Sequence, residues 1–267
     1  MIRDITIGQY YPSNSKLHRL DPRVKIMCTL LYLISLFLFD NILGYVVATV
    51  FLICVIRASK VPFKFIVRGL KPIIMLLMIT VLFNLFLNKT GDVLVEFWVF
   101  QITTEGLRTA VFMAIRLIYL ILGSSIMTFT TTPNALTDGI ESLLKPLQKI
   151  KVPVHEIAMM MSIALRFIPI LMEETDRIMK AQKARGADFE SGNLIEKAKA
   201  MVPLLVPLFI SAFRRANDLA MAMEARCYRG GEGRTKMKPL RYEVSDRTAY
   251  VILVLYLVAM IVTGRLF

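Results

Sequence analysis

The stretch VHEIAMMMSIALRFIPILMEETDRIMKAQKARG, Val154–Gly186, decides how this chain is laid out. Its first part, Val154 to Met172, is apolar apart from His155, Glu156, Ser162 and Arg166. That is long enough to cross a bilayer, which takes about 20 apolar residues. Its second part carries Glu173, Glu174, Asp176, Arg177, Lys180 and Lys183. Glu173/Arg177 and Asp176/Lys180 place acid before base at i,i+4, which suits a solvated helix. The stretch closes on Ala184-Arg185-Gly186, a C-terminal signature with Gly in the left-handed position and cations favoured by the macrodipole. A second helix, Leu194 to Cys227, repeats the design. It is apolar from Met201 to Phe213 and polar from Arg214, and it ends on Ala225-Arg226-Cys227 ahead of Gly230-Gly231. Arg185 and Arg226 are 41 residues apart. Capping accounts for the first tip, but with Cys227 where glycine would stand it does not require the same Ala-Arg pair in the second. A small Ala beside a planar, multi-donor guanidinium suits insertion of a helix tip into an acidic groove. The repetition therefore points to partner binding.

The rest of the chain sets these tips in a membrane protein. Of 267 residues, 56% are apolar or aromatic, with 33 Lys+Arg against 20 Asp+Glu. Soluble globular chains hold about 45–50% apolar residues even with Gly counted. Apolar runs cover Val24–Phe39, Ile42–Ile56, Leu70–Leu87, Thr109–Thr131 and Ala249–Gly264. The first two, split by Asp40-Asn41, read as a tight transmembrane hairpin. Cytoplasmic loops collect Lys and Arg. Five lie in Met1–Lys25 and five more follow the second run, Arg57, Lys60, Lys64, Arg68 and Lys71. The turn Asp40-Asn41 holds none. Asn88–Arg108 holds Lys89 and Arg108 beside three acids. The amino terminus is thus expected inside and the carboxyl terminus outside.

Thr132 to Arg247 starts and ends on the cytoplasmic side and carries 19 of the 33 basic residues. Thr132-Pro133-Asn134 opens an amphipathic helix that ends or kinks near Pro146. Making Val154–Met172 a span would export Arg177, Lys180, Lys183, Arg185, Lys197 and Lys199 against the inside bias. The expected fold is an all-α membrane protein of about five transmembrane helices plus a cytoplasmic domain of three amphipathic or coupling helices. Residues 1–131 form the membrane domain of four spans, 132–247 the coupling-helix domain, and 248–267 the last transmembrane helix.

Chemistry of the chain's own is not in view. Cys28, Cys54 and Cys227 are scattered, with no CxxC pair. His155-Glu156 lacks a second His four residues on, where Met159 stands, so no metal site is expected. Gly230-Gly231-Glu232-Gly233-Arg234-Thr235 lacks a phosphate-loop pattern and reads as a linker. The basic surplus reads as topology, with no nucleic-acid partner. Arg116, inside the fourth span, is expected to snorkel to the outer interface. Methionines 159, 160, 161, 172, 179, 201, 221 and 223 fill a core or make a surface that repacks against several partners, and both readings stay open. A stand-alone intramembrane enzyme would need convergent catalytic groups. A secondary transporter would usually show mid-membrane ionisable residues and inverted repeats. An ordinary ABC importer permease would present one coupling helix per chain.

The phrase Leu17-His18-Arg19-Leu20-Asp21-Pro22-Arg23-Val24-Lys25 resembles the amino-terminal segment of the transmembrane coupling subunit (T component) of energy-coupling factor (ECF) transporters. The paired Ala-Arg tips and the order of four spans, cytoplasmic helices and a last span are similar to that family, over nearly the whole chain. Cys227 departs from glycine in the second tip. The resemblance implies a non-catalytic subunit of a prokaryotic plasma-membrane complex for vitamin or metal uptake. Two ABC-type ATPases would receive Ala184, Arg185, Gly186, Ala225, Arg226 and Cys227 in their grooves. A small membrane capture subunit would pack on the apolar halves of the cytoplasmic helices. The chain itself would hold no cofactor, ATP being bound by the partners.

Overall fold

The computed structural model describes residues 10–39, 41–87, 92–97, 100–189, 193–231 and 235–266. Asp40, Asn88, Lys89, Gly192 and Glu232–Arg234, which carried parts of the loop and linker readings, lie outside the described residues. The helices are α1 (Lys16–Arg19), α2 (Pro22–Ser35), α3 (Ile42–Ser59), α4 (Phe63–Arg68), α5 (Ile74–Leu87), α6 (Thr104–Thr130), α7 (Pro133–Leu144), α8 (Val154–Ala184), α9 (Leu194–Ala225) and α10 (Val244–Leu266). One antiparallel hairpin, β1 (Val93–Phe97) with β2 (Phe100–Thr103), precedes α6. The sequence reading treated that stretch as an undifferentiated loop. The fold is that of an all-α membrane protein.

Four helices are long and apolar enough to cross a membrane: α3, α6, α8 and α10. The sequence placed spans at α2 and α5 as well. Each of these is a helix of 14 residues, and α5 continues directly from a 3-10 turn at Lys71–Ile73. α8, assigned outside the bilayer because of its charged second half, meets the length and composition criterion through its first half.

The described residues divide into two compact units. One is Glu141–Pro239, and the other comprises the described residues before and after it. The second unit packs α2, α3, α6 and α10 around Tyr32, Leu36, Ala48, Leu52, Ile126, Leu253 and Tyr256. Two glycines set how closely its parts approach. A side chain at Gly44 would collide with the Phe39 ring, and one at Gly123 with the Tyr32 ring. Arg116 Nη2 donates to the carbonyl of Phe39, the last residue of the first apolar run, at 3.0 Å, and its guanidinium lies 5.6 Å from the Phe37 ring centroid.

The amino-terminal phrase is a polar buckle in this unit. The Asp21 carboxylate caps α2 by accepting from Arg23 N–H at 2.9 Å, and it pairs with the Arg23 guanidinium at 2.8 Å. Asp21 N–H donates to Asp246 Oδ1 at 2.8 Å, and Glu243 N–H donates to Asp246 Oδ2 at 2.8 Å. Asp246 is 1% exposed. The start of α2 is thereby tied to the start of α10. Lys25 Nζ donates to the carbonyls of His18 (3.1 Å) and Thr130 (2.8 Å), adding the end of α6. His18 holds Tyr11 O at 2.9 Å and Ser15 Oγ at 2.6 Å. Ser15, Asp21, Lys25 and Asp246 are buried, so each needs a partner, and these contacts supply them.

Candidate functional site

The two tips have one geometry. At the end of α8, Gly186 takes φ +88°. Gly186 N–H donates to Lys183 O (3.0 Å) and Ala187 N–H to Gln182 O (3.0 Å). At the end of α9, Cys227 takes φ +54°. Cys227 N–H donates to Glu224 O (2.8 Å) and Tyr228 N–H to Met223 O (3.0 Å). Both are complete Schellman caps, with the paired 6→1 and 5→2 bonds that satisfy the last carbonyls. Capping therefore accounts for both helix ends, with Cys227 standing where the sequence pattern favours glycine. Cys227 enters the left-handed region, where a Cβ costs roughly 1–2 kcal/mol, and closes the same cap. Arg185 and Arg226 are the matching residues one position before the left-handed one. Ala184, Arg185, Gly186, Ala225, Arg226 and Cys227 are all exposed.

α8 and α9 form an antiparallel crossing. Glu174 Oε2 accepts from Arg215 Nη2 at 3.1 Å, and Gln182 Nε2 donates to Pro203 O at 3.5 Å. As α8 advances from 174 to 182, its contact on α9 falls back from 215 to 203. Glu174 and Arg215 are themselves 41 residues apart, the spacing that separates Arg185 from Arg226. The ion pair therefore joins equivalent positions of the two repeats, as at a pseudo-two-fold axis. Each tip lies eleven residues beyond its member of the pair, about 16 Å along the helix, on opposite sides of the crossing. Counted along each helix, the two tips stand the same number of residues from their members of the ion pair.

Charges at equivalent positions are inverted: Glu173-Glu174 stands opposite Arg214-Arg215 in the repeat, and Arg177 opposite Asp218. An antiparallel crossing of two identical helices would bring like charges together at its centre. The inversion turns that repulsion into attraction. Neither Glu173/Arg177 nor Asp176/Lys180 forms an ion pair among the described residues, and Glu174 crosses to the neighbouring helix instead.

The far ends are held within the same unit. Glu141 Oε1 faces His155 Nδ1 at 3.0 Å, in the first turn of α8, and Glu141 Oε2 accepts from Lys236 Nζ, beyond α9. Burial would raise the Glu141 carboxyl, but its hydrogen bonds to Lys236 and His155 win and hold it below the ordinary carboxylate range. A side chain at Gly231 would strike the His155 ring, and Gly230 takes φ +92°. The beginning of the glycine stretch is therefore a packed turn rather than a free linker. No cluster of metal-ligating residues occurs among the described residues. Met160, Ile168, Met201, Val206, Phe209 and Phe213 leave broad apolar surface exposed on α8 and α9.

A family profile described as cobalt transport protein (CbiQ) matches residues 13–237. The chain is 58% identical over 250 residues to the energy-coupling factor transporter transmembrane protein EcfT of Thermosediminibacter oceani, 94% of each chain. It is 59% identical over 247 residues to the EcfT of Clostridium kluyveri, 92% of each chain. It is 49% identical over 254 residues to that of Bacillus subtilis, 95% of this chain and 96% of the relative. The chain belongs to the family of energy-coupling factor transporter transmembrane proteins. As an ECF T component it is a multi-pass membrane subunit of a transporter. Both tips and the Leu17–Lys25 phrase fall inside the matched residues, whereas α10 lies beyond them.

Sequence reasoning missed Glu174 and Arg215. The signal was available in the inverted charges at a spacing of 41, but it appears only when the two repeats are aligned on their tips.

Proposed function

We propose that this ECF T component is the lever of an ATP-driven importer. Two ABC-type ATPases receive its tips, Arg185 with Ala184 and Gly186 in one groove, and Arg226 with Ala225 and Cys227 in the other. The observation that carries the reading is the matched pair of capped arginine tips, on two helices joined by the Glu174–Arg215 ion pair. Each guanidinium offers five donors in a fixed fork, suited to carboxylates in a groove. The preceding Ala keeps the tip narrow. The chain binds no nucleotide or other cofactor; ATP belongs to the partners. It is not an enzyme.

The lever works by differential contact. ATP-driven closure of the ATPases displaces both tips, and a coupled change requires that the tip contacts differ between the two states. Rigid helices carry the displacement through the crossing at Glu174–Arg215 to the apolar halves of α8 and α9. A small membrane capture subunit for a vitamin or metal ion packs there, reorients and releases its cargo inside. Residues 132–247 form the cytoplasmic coupling domain, with 1–131 and 248–267 in the plasma membrane of a prokaryotic cell and the amino terminus inside. The charged half of α8 then stays on the side that its Lys and Arg favour.

The test is uptake by the complex reconstituted with two ATPases and a capture subunit. Arg185→Glu with Arg226→Glu abolishes ATP-driven uptake, because repulsion replaces attraction at both grooves. Undiminished uptake by the double variant contradicts the assignment.

A further inference from the structure

We propose that the membrane unit holds a specific anionic phospholipid, with its headgroup on Lys16, Arg19, Arg57 and Lys60 and an acyl chain in the cleft beside them. The cleft, of about 690 Å³, runs between α2, α3, α6 and α10. Its walls are apolar over most of their length, among them Cys28, Tyr32, Phe51, Val55, Ile126 and Leu253. Its polar end carries Lys16, Arg19 and Lys25, with Glu243 the one acid among the lining residues. A second hollow of about 470 Å³ adjoins it, lined by Asn14, Ser15, Lys16, Arg19, Arg57, Ala58 and Lys60. The two share Lys16, Arg19 and Ala58.

The occupant follows from chemistry and position. The second hollow gathers four cations and no acid, so it takes an anion. Lys16, Arg19, Arg57 and Lys60 are all exposed, and none is in an ion pair among the described residues. Lys25, also at the polar end, is 8% exposed and donates to two carbonyl oxygens, with Asp21 and Asp246 offsetting its charge at longer range, so the anion site rests on the four exposed cations. Beyond its polar end the adjoining cleft is lined mainly by apolar side chains, so it favours an apolar occupant. A ligand filling both needs an anionic head joined to a long apolar tail. The beginnings of α2 and α10 and the ends of α3 and α6 meet at the polar end, so it lies where helices leave the bilayer. Phospholipid headgroups reside at that level, and clustered Lys and Arg beside a span attract anionic lipids there. The inference needs only the membrane location of this unit and is independent of how the tips act.

The full chain in proteoliposomes tests it, using phosphatidylglycerol and phosphatidylcholine that each carry a photoreactive group on the acyl chain. Phosphatidylglycerol is expected to label the segments holding Cys28 and Val55 at least about tenfold more than the exposed face of α5 around Met75 and Met78, whereas phosphatidylcholine shows no such preference. Lys16→Gln with Arg19→Gln and Arg57→Gln, all at exposed positions, should remove the phosphatidylglycerol preference. Val55→Trp, which narrows the cleft, should remove cleft labelling by either lipid. Equal labelling of cleft and α5, equal labelling by the two lipids, or a preference that survives the glutamine variant overturns the proposal. So does cross-linking of a cleft residue to a co-purified protein in place of lipid.

Discussion

α8 and α9 share a tip and differ in almost everything behind it. Both end on Ala-Arg in a Schellman cap. Yet α8 closes on glycine and carries an acidic pair at the crossing, while α9 closes on a strained cysteine and carries a basic pair. What is held constant is the position and presentation of an arginine. What varies is whatever makes two such helices bind one another. A repeat that cared only about ending helices would keep glycine and discard the arginine; this one does the reverse at Cys227.

The largest expected effect strikes what the helices share. Arg185→Glu alone and Arg226→Glu alone should each cut ATP-driven uptake severely, and the pair should abolish it, as measured in proteoliposomes. If one tip proves dispensable, the equivalence drawn between α8 and α9 is broken. Next comes the crossing. Glu174→Arg or Arg215→Glu puts like charges at its centre and should lower uptake several-fold, while the combined swap restores it. The pair is partly exposed, so its direct contribution to stability is only about 0.5–1 kcal/mol, and uptake is the more sensitive readout. A swap that fails to restore uptake removes the pivot role from this pair.

Smaller effects separate the two caps. Gly186→Ala forces a Cβ into a left-handed position and should destabilise by about 1 kcal/mol. Cys227→Gly relieves that strain but loosens the unfolded chain, for a net gain of about 0.5–1 kcal/mol. Thermal unfolding of the purified complex reads both, and uptake should be retained in each because Arg185 and Arg226 keep their place. The smallest effect concerns the far end. The Glu141 carboxyl is held below its ordinary range in the fold, so its stabilisation is present above the unfolded carboxylate pKa of about 4.3 and is lost as pH falls through the lower folded value. Glu141→Gln should therefore be less stable than wild type at neutral pH, with the gap closing under acid.

The membrane class, the order of the helices and the position of both tips were legible in the sequence. Apolar run length, Lys and Arg asymmetry and helix-end signals are local properties. The hairpin Val93–Thr103 was not legible, because two short strands leave little periodicity to read. Cys227 as a left-handed cap was hidden because propensity favours glycine there, and the tertiary setting overrode it. The partner of Glu174 was not legible, since i,i+4 spacing is visible in one segment and a partner 41 residues away is not. The partner of Arg116 was hidden for the same reason: the carbonyl it holds, that of Phe39, belongs to a distant part of the chain.

The central claim is that both arginine tips engage nucleotide-binding partners on one face of the membrane. It is tested most directly by cysteine cross-linking. In a chain with Cys28, Cys54 and Cys227 changed to serine and both arginines kept, Ala184→Cys and Ala225→Cys, at exposed tip positions, are each expected to cross-link to a co-purified ATPase subunit, with a yield that changes on adding ATP. Absence of such cross-links, or labelling of the two positions from opposite sides of the bilayer, contradicts the account.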